Sequence, residues 1–158
     1  MQKFSSLLIM AAACALSTQA LALSATQTIE KEATVIADDG TSRIVRTPVS
    51  KVVPGERIVY TLNFTNDDAQ PASDLVLTMP VPEEVTYIEG TADRAGAQVM
   101  FSADGGDTFS PREATIKMEA DGSVSPARNI DITHVRWTVP GPVAVGENGE
   151  LSFSAVLK

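Results

Sequence analysis

Residues 53–82 constrain the fold of this chain more than any other stretch of its sequence. Residues Val53 to Glu56 suit a type II turn, in which Pro54 presets φ and Gly55 adopts the positive φ that the turn requires. Apolar and polar side chains then alternate with a period of two, which predicts a strand with one face toward a core and the other toward solvent. A second alternation follows and ends at two prolines, as expected where a strand stops. The stretch predicts two strands in a hairpin-like pair, and the inward row of the first comprises Ile58, Tyr60, Leu62 and Phe64.

Turn signals recur along the rest of the chain at intervals of about 8–12 residues, a spacing typical of an antiparallel sandwich or barrel. A helical period near 3.6 never persists for more than about two turns. The sequence therefore predicts an all-β fold. Within it we expect the strand around Val85 to pair with the strand around Val99, and a hairpin around an Asp-Gly-Gly-Asp turn at residues 104–107. Two late strands should bring Trp137 and Phe153 into the core.

The first 22 residues have the three parts of a secretory signal peptide. These parts are Lys3, an apolar run over Leu7–Leu16 and a set of small residues that ends at Ala22. The run is shorter than the roughly 20 residues that a transmembrane helix needs. We therefore expect cleavage after Ala22, an exported protein of the periplasm or cell surface, and one domain over residues 23–158.

Charge and cysteine content disfavour several classes of partner and site. The chain has 12 Lys and Arg against 20 Asp and Glu, and loss of Lys3 with the signal peptide would leave a formal charge of 11 − 20 = −9. Nucleic acid is not an expected partner, because phosphate binding depends on Lys and Arg, and insertion into a membrane is not expected either. The single cysteine, Cys14, lies in the predicted signal peptide, so the mature domain should lack disulfides and thiolate metal sites. Acylation of Cys14 in a lipoprotein is a weaker alternative.

Several segments together carry a family resemblance: Pro54–Glu56, Ile58–Asn66, Pro71-Ala72, Leu75–Thr78, Pro80–Pro82 and Val85–Gly90. They resemble the conserved bacterial repeat domain called domain of unknown function family eleven. The resemblance implies an immunoglobulin-like antiparallel β-sandwich of about 7–9 strands. It also implies an exported or cell-envelope setting and no assigned enzymatic activity. This chain departs from the family pattern at Met79, where an aspartate commonly precedes the proline, and in having one copy of the domain.

Residues Ser102 to Phe109 fit the pattern S-x-D-x-G-x-T-[WF] of the Asp-box hairpin of sialidase-like propellers. The physical role of that hairpin is to stabilise a turn. In it, Asp104 accepts hydrogen bonds from backbone N–H groups, Gly106 supplies a positive φ and Phe109 packs beneath the turn. We expect the same structural role here, since a propeller needs four or more repeated blades. The alternative is a carbohydrate-active hydrolase that uses surface carboxylates near this turn.

Acidic turns and His134 supply the remaining site hypotheses. Calcium takes 6–8 oxygen ligands, and Asp38-Asp39, Asn66–Asp68 or Asp104 with Asp107 could supply some of them. None of these groups has the spacing of a dedicated loop, so no metal or other cofactor is predicted. His134 is the only histidine, it is expected to face solvent, and no G-x-S-x-G motif accompanies it. No catalytic residue is predicted.

We therefore predict a non-catalytic interaction or structural module of the bacterial cell envelope. It would bind an envelope or surface protein, or a glycan, through loops or an edge strand. A fibre subunit assembled by strand exchange is a third possibility. The residues expected to hold the structure are Pro54, Gly55, Tyr60, Leu62, Phe64, Asp104, Gly106, Trp137 and Phe153.

Overall fold

The computed structural model describes residues 23–92, 94 and 96–158, and the predicted signal peptide lies outside these described residues. In this part of the chain, ten strands form three antiparallel sheets. The predicted all-β antiparallel sandwich is therefore confirmed, with more strands than expected. No helix in the described ranges is long and apolar enough to span a bilayer.

The strands differ widely in length, from three residues to 14. In chain order, β1 to β10 are Leu23–Ile36, Ser42–Pro48, Arg57–Asn66, Leu75–Pro80, Val85–Tyr87, Gln98–Ser102, Ile116–Met118, Val124–Pro126, His134–Val139 and Asn148–Leu157. Short 3-10 helices occur at Arg112–Ala114 and Asn129–Asp131. The sheet orders are β2-β1-β3-β10-β5, β4-β9-β6 and β7-β8.

The two larger sheets contribute to one hydrophobic core. In the five-stranded sheet Tyr60 lies opposite Phe153, and their rings stack with centroids 5.0 Å apart. In the three-stranded sheet Trp137 is fully buried, and its indole N–H donates to the Ala92 carbonyl at 2.8 Å. Phe64 is buried as well, whereas Leu62 is only partly buried against the same cluster. Large aromatic side chains from both sheets therefore fill the space between them.

Strand β3 is buried on both faces at its centre, which the alternation did not predict. Val59 and Thr61 belong to the row expected in solvent, yet they are only 1% and 4% exposed. The Arg57 guanidinium lies on this outer face, where it donates to the Ser154 hydroxyl at 3.2 Å and pairs with Glu32 at 3.1 Å. Long polar side chains therefore cover the outer face of a strand that has a neighbour on each side.

Strand partners differ from those that chain order suggests. The stretch at residues 53–82 is not a hairpin, because β3 and β4 lie in different sheets. The predicted pairing of the strands around Val85 and Val99 is wrong as well, since β5 pairs with β10 and β6 pairs with β9. The connections β3–β4, β4–β5, β5–β6 and β9–β10 all pass from one sheet to the other. Alternation identifies a buried face, but it does not identify the partner strand.

The turn before β3 is tied to the last strand. The Glu56 N–H donates to the Val53 carbonyl at 3.1 Å and Gly55 has a φ of 88°, as a type II turn requires. The Gly55 N–H donates to the Leu157 carbonyl at 2.9 Å, and the Leu157 N–H donates to the Glu56 carbonyl at 3.1 Å. The turn at Pro54 and Gly55 thus leads into β3 at the place where β10 ends.

Candidate functional site

The Asp104 carboxylate closes the turn at residues 102–109. Its Oδ1 accepts hydrogen bonds from the Ser102 hydroxyl at 2.6 Å and from the Thr108 backbone N–H at 3.0 Å, and its Oδ2 accepts one from the Thr108 hydroxyl. These bonds favour the ionised form, so the Ser102 hydroxyl first, and then Thr108, lower the pKa of Asp104 from 3.8 to about 2. The carboxylate is ionised at neutral pH and is directed into its own turn.

The turn rests on the outer face of the three-stranded sheet. The Gly106 N–H donates to the Ser102 hydroxyl at 2.9 Å, and a β-carbon on Gly106 would lie 3.4 Å from Nδ1 of His134. Phe109 contacts the His134 ring edge-on with centroids 6.5 Å apart, and the Arg136 guanidinium lies 3.4 Å from the Phe109 ring centroid. His134 is therefore half-buried beneath the turn, where we expected a solvent-facing side chain.

The two predicted strands of the hairpin meet at one isolated bridge, between Phe101 and Ser110. The chain after it pairs elsewhere, because β7 forms its own two-stranded sheet with β8. A groove of about 470 Å³ separates this small sheet from the Asp104 turn. Asp104 and Asp107 line the groove together with exposed apolar side chains of the small sheet, which are Ile116, Met118 and Val124.

A second surface is a two-stranded projection, here called the arm, formed by residues 33–45. Strand β1 pairs with β3 only as far as Glu32, whereas its pairing with β2 continues to Ile36. The arm therefore extends beyond the five-stranded sheet. Its apolar side chains have little cover, since Val35, Ile36 and Ile44 are 41%, 73% and 65% exposed. Clustered exposed apolar groups mark interaction sites more often than isolated ones do.

Strand β2 is an edge of the five-stranded sheet, and no described strand lies beyond it. The Ala37 N–H donates to the Thr41 carbonyl at 2.8 Å, which fixes the odd-numbered residues of β2 as those that exchange hydrogen bonds with β1. Ser42, Ile44 and Arg46 therefore direct their N–H and C=O groups away from the sheet. Pro48 has no N–H and ends this row of donors. We call this row the free edge of β2.

The free edge is cationic, although the chain as a whole is acidic. Arg43, Arg46 and Lys51 are the charged residues between Gly40 and Val53. Arg46 lies 3.6 Å from a Glu32 oxygen, and no ion pair of Arg43 or Lys51 is found within the described ranges. At the tip of the arm, hydrogen bonds from Thr41 lower the pKa of Asp39, so its carboxylate is charged. The edge thus has carboxylates before it and cations along and after it.

The structure places the predicted structural residues in three separate regions. Pro54 and Gly55 form the turn that meets β10, while Asp104 and Gly106 form the turn on the outer face of the other sheet. No group of three or more His, Cys, Asp or Glu side chains is arranged to hold a metal within the described ranges. The remaining predicted residues lie in or against the core: Tyr60, Leu62, Phe64, Trp137 and Phe153.

Comparison with known proteins does not assign the chain to a group. No protein-family model matches it, and no curated protein or solved structure does. Membership of the bacterial repeat family therefore stays a prediction that depends on the residues quoted above. A proline within residues 44–49 predicts an edge strand, and β2 lies at a sheet edge, but the sequence did not lead us to expect the arm. Apolar residues on both faces of the arm, at Val35 with Ile36 and at Ile44 with Val45, were the available signal.

Proposed function

We propose that this chain is a non-catalytic interaction module of the bacterial cell envelope, exported to the periplasm or cell surface. It binds an envelope protein by adding a strand of that protein to the free edge of β2. The observation that supports this mode is the coincidence of outward N–H groups at Ser42, Ile44 and Arg46 with the exposed apolar side chains of the arm. In strand addition, main-chain hydrogen bonds supply affinity and alternate side chains supply specificity.

The alternative is a carbohydrate-active hydrolase at the groove beside the Asp104 turn. The groove favours it, because Asp104 and Asp107 are both among its lining residues. A glycosidase, however, needs one carboxyl group that is protonated and can act as an acid. The pKa of Asp104 is lowered to about 2 and its oxygens accept bonds from within the turn, which supports a structural role instead.

The test compares two proline variants on two different edges. Ile44→Pro removes an outward N–H from the free edge of β2 without removing a bond to β1. The matched control is Val76→Pro on β4, where the Val81 N–H donates to the Thr133 carbonyl at 2.8 Å and so fixes the Val76 N–H as outward-facing too. Envelope proteins retained by the wild type and by Val76→Pro should be lost with Ile44→Pro.

Equal retention by all three proteins would exclude β2 as the binding edge. The alternative is tested separately by incubating the protein with envelope glycans and measuring newly released reducing ends. Release that disappears in both Asp104→Ala and Asp107→Ala would support the hydrolase and contradict the interaction module.

A further inference from the structure

We infer that the strand added to β2 is the β2 strand of a second copy of this chain. Two five-stranded sheets then join antiparallel across a twofold axis into one continuous sheet. The inference rests on the proposed function for its mode of binding, strand addition, and it names the partner. A twofold pairing uses the same edge on both copies, so the assembly closes as a dimer and does not continue into a fibre.

Hydrogen-bond geometry permits this pairing. Two opposed residues of an antiparallel pair exchange both of their bonds only if both point at each other. On the free edge, the residues that point outward are Ser42, Ile44 and Arg46. When Ile44 lies opposite Ile44 of the second copy, Ser42 lies opposite Arg46. Every outward residue then meets an outward residue, and each copy contributes all three of these N–H donors.

Charge distribution favours the antiparallel direction. Carboxylates at Asp38 and Asp39 precede β2, whereas cations lie along it and after it, with Lys51 the last. In the register centred on Ile44, Asp39 falls opposite Val49 of the second copy, and therefore close to its Lys51. A parallel pairing would place Arg43 and Arg46 beside their own copies, and directly opposed like charges destabilise a sheet.

The pairing also removes a weakness of the single chain. The arm has two strands and apolar side chains exposed on both faces, and an isolated two-stranded hairpin is at best marginally stable in water. Joining two arms gives four strands. Ile44 and Ile36 share one face, because the register places Thr34 opposite Ile44 and Ile36 opposite Ser42. The Ile44 side chains of the two copies then contact each other across the axis, which removes apolar surface from water.

Analytical ultracentrifugation of the protein, purified after expression of the full chain, tests the inference over a series of concentrations. The wild type and the control Val76→Pro should shift from one copy to two. Ile44→Pro should raise the dissociation constant of the dimer by at least about tenfold, since it removes central hydrogen bonds and the Ile44 contact. Trp137 fluorescence in urea checks that each variant is folded. A wild type that stays monomeric, or an Ile44→Pro variant that dimerises equally well, would overturn the inference.

Hydrogen exchange of the wild type supplies a second readout that needs no variant. Rising concentration should protect the amides of Ser42, Ile44 and Arg46, while those of Arg43, Val45 and Thr47 change less because they already bond to β1. Uniform protection, or none, would contradict the pairing.

A monomer that still loses an envelope partner on Ile44→Pro would overturn this inference and leave the proposed function standing. A dimer that retains no envelope protein would support this inference and overturn the proposed binding of an envelope protein.

Discussion

Asp104 stabilises its turn only while it is ionised, because its oxygens accept hydrogen bonds from Ser102 and Thr108. Asp104→Ala should lower the free energy of unfolding at neutral pH by about 1 kcal/mol, as the loss of a capping side chain does at an exposed site. The pKa of Asp104 falls from 3.8 to about 2 on folding, so its contribution is complete above the higher value and disappears toward the lower one. The stability gap between wild type and variant should therefore close as the pH falls.

Urea denaturation followed by Trp137 fluorescence at a series of pH values measures this gap. The matched control is Asp107→Ala, in the same turn, whose side chain makes no hydrogen bond or ion pair found in the described ranges. We expect this control to leave stability unchanged. A gap that is independent of pH, or an equal loss in both variants, would contradict the role given to Asp104.

Position 149 requires a glycine because the Phe64 ring lies against it. A β-carbon on Gly149 would lie 2.4 Å from Cζ of Phe64, and the ring is buried in the core and cannot move away freely. Gly149→Ala should lower the free energy of unfolding by about 1–3 kcal/mol, as overpacking of a core does. Combining it with Phe64→Leu should recover part of that loss, because leucine vacates the space of the ring. Strict additivity of the two costs in a double-mutant cycle would show that the collision does not occur.

At the scale of an element, the arm should open more readily than the sheet that carries it. Residues 33–36 of β1 pair only with β2, whereas the residues of β3 have neighbours on both sides. In dilute solution, the amide of Val35 should therefore exchange with deuterium faster than the amides of Tyr60 and Phe153. Mass spectrometry of exchanged peptides measures the difference. Equal protection of the arm and of β3 would mean that the arm is covered even in the monomer.

Alternation predicted most strands because a strand with one buried face must alternate, as the fully buried Val135 and Trp137 show in β9. It could not predict which strands pair, since that choice depends on contacts between residues far apart in sequence. It also misjudged Val59 and Thr61, because β3 lies between β1 and β10 and the burial of its outer face depends on residues distant in sequence. The Asp104 turn was predictable because a short local pattern carries its hydrogen bonds. The groove beside it was not, since the apolar wall comes from β7 and β8.

At the scale of the whole molecule, the last of the described strands is central in its sheet. Strand β10 lies between β3 and β5, and its residues Leu151, Phe153 and Ala155 are fully buried. Removal of residues 148–158 should therefore abolish cooperative unfolding, because it opens the core and leaves two new strand edges. Circular dichroism during urea denaturation measures this loss. Deletion of Asp38–Gly40 at the tip of the arm is the control, and it should leave the transition nearly unchanged.

The stacked pair of Tyr60 and Phe153 also sets the order of events during synthesis. Residues 60–153 must all leave the ribosome before Phe153 can cover Tyr60, since the two residues lie on β3 and β10. Throughout that interval the nascent chain presents the apolar row of β3 to the cell. Closure of the core is thus a late and long-range step, and such steps are slow. A holdase chaperone that recognises the exposed row of β3 would have the interval between the synthesis of β3 and that of β10 in which to bind.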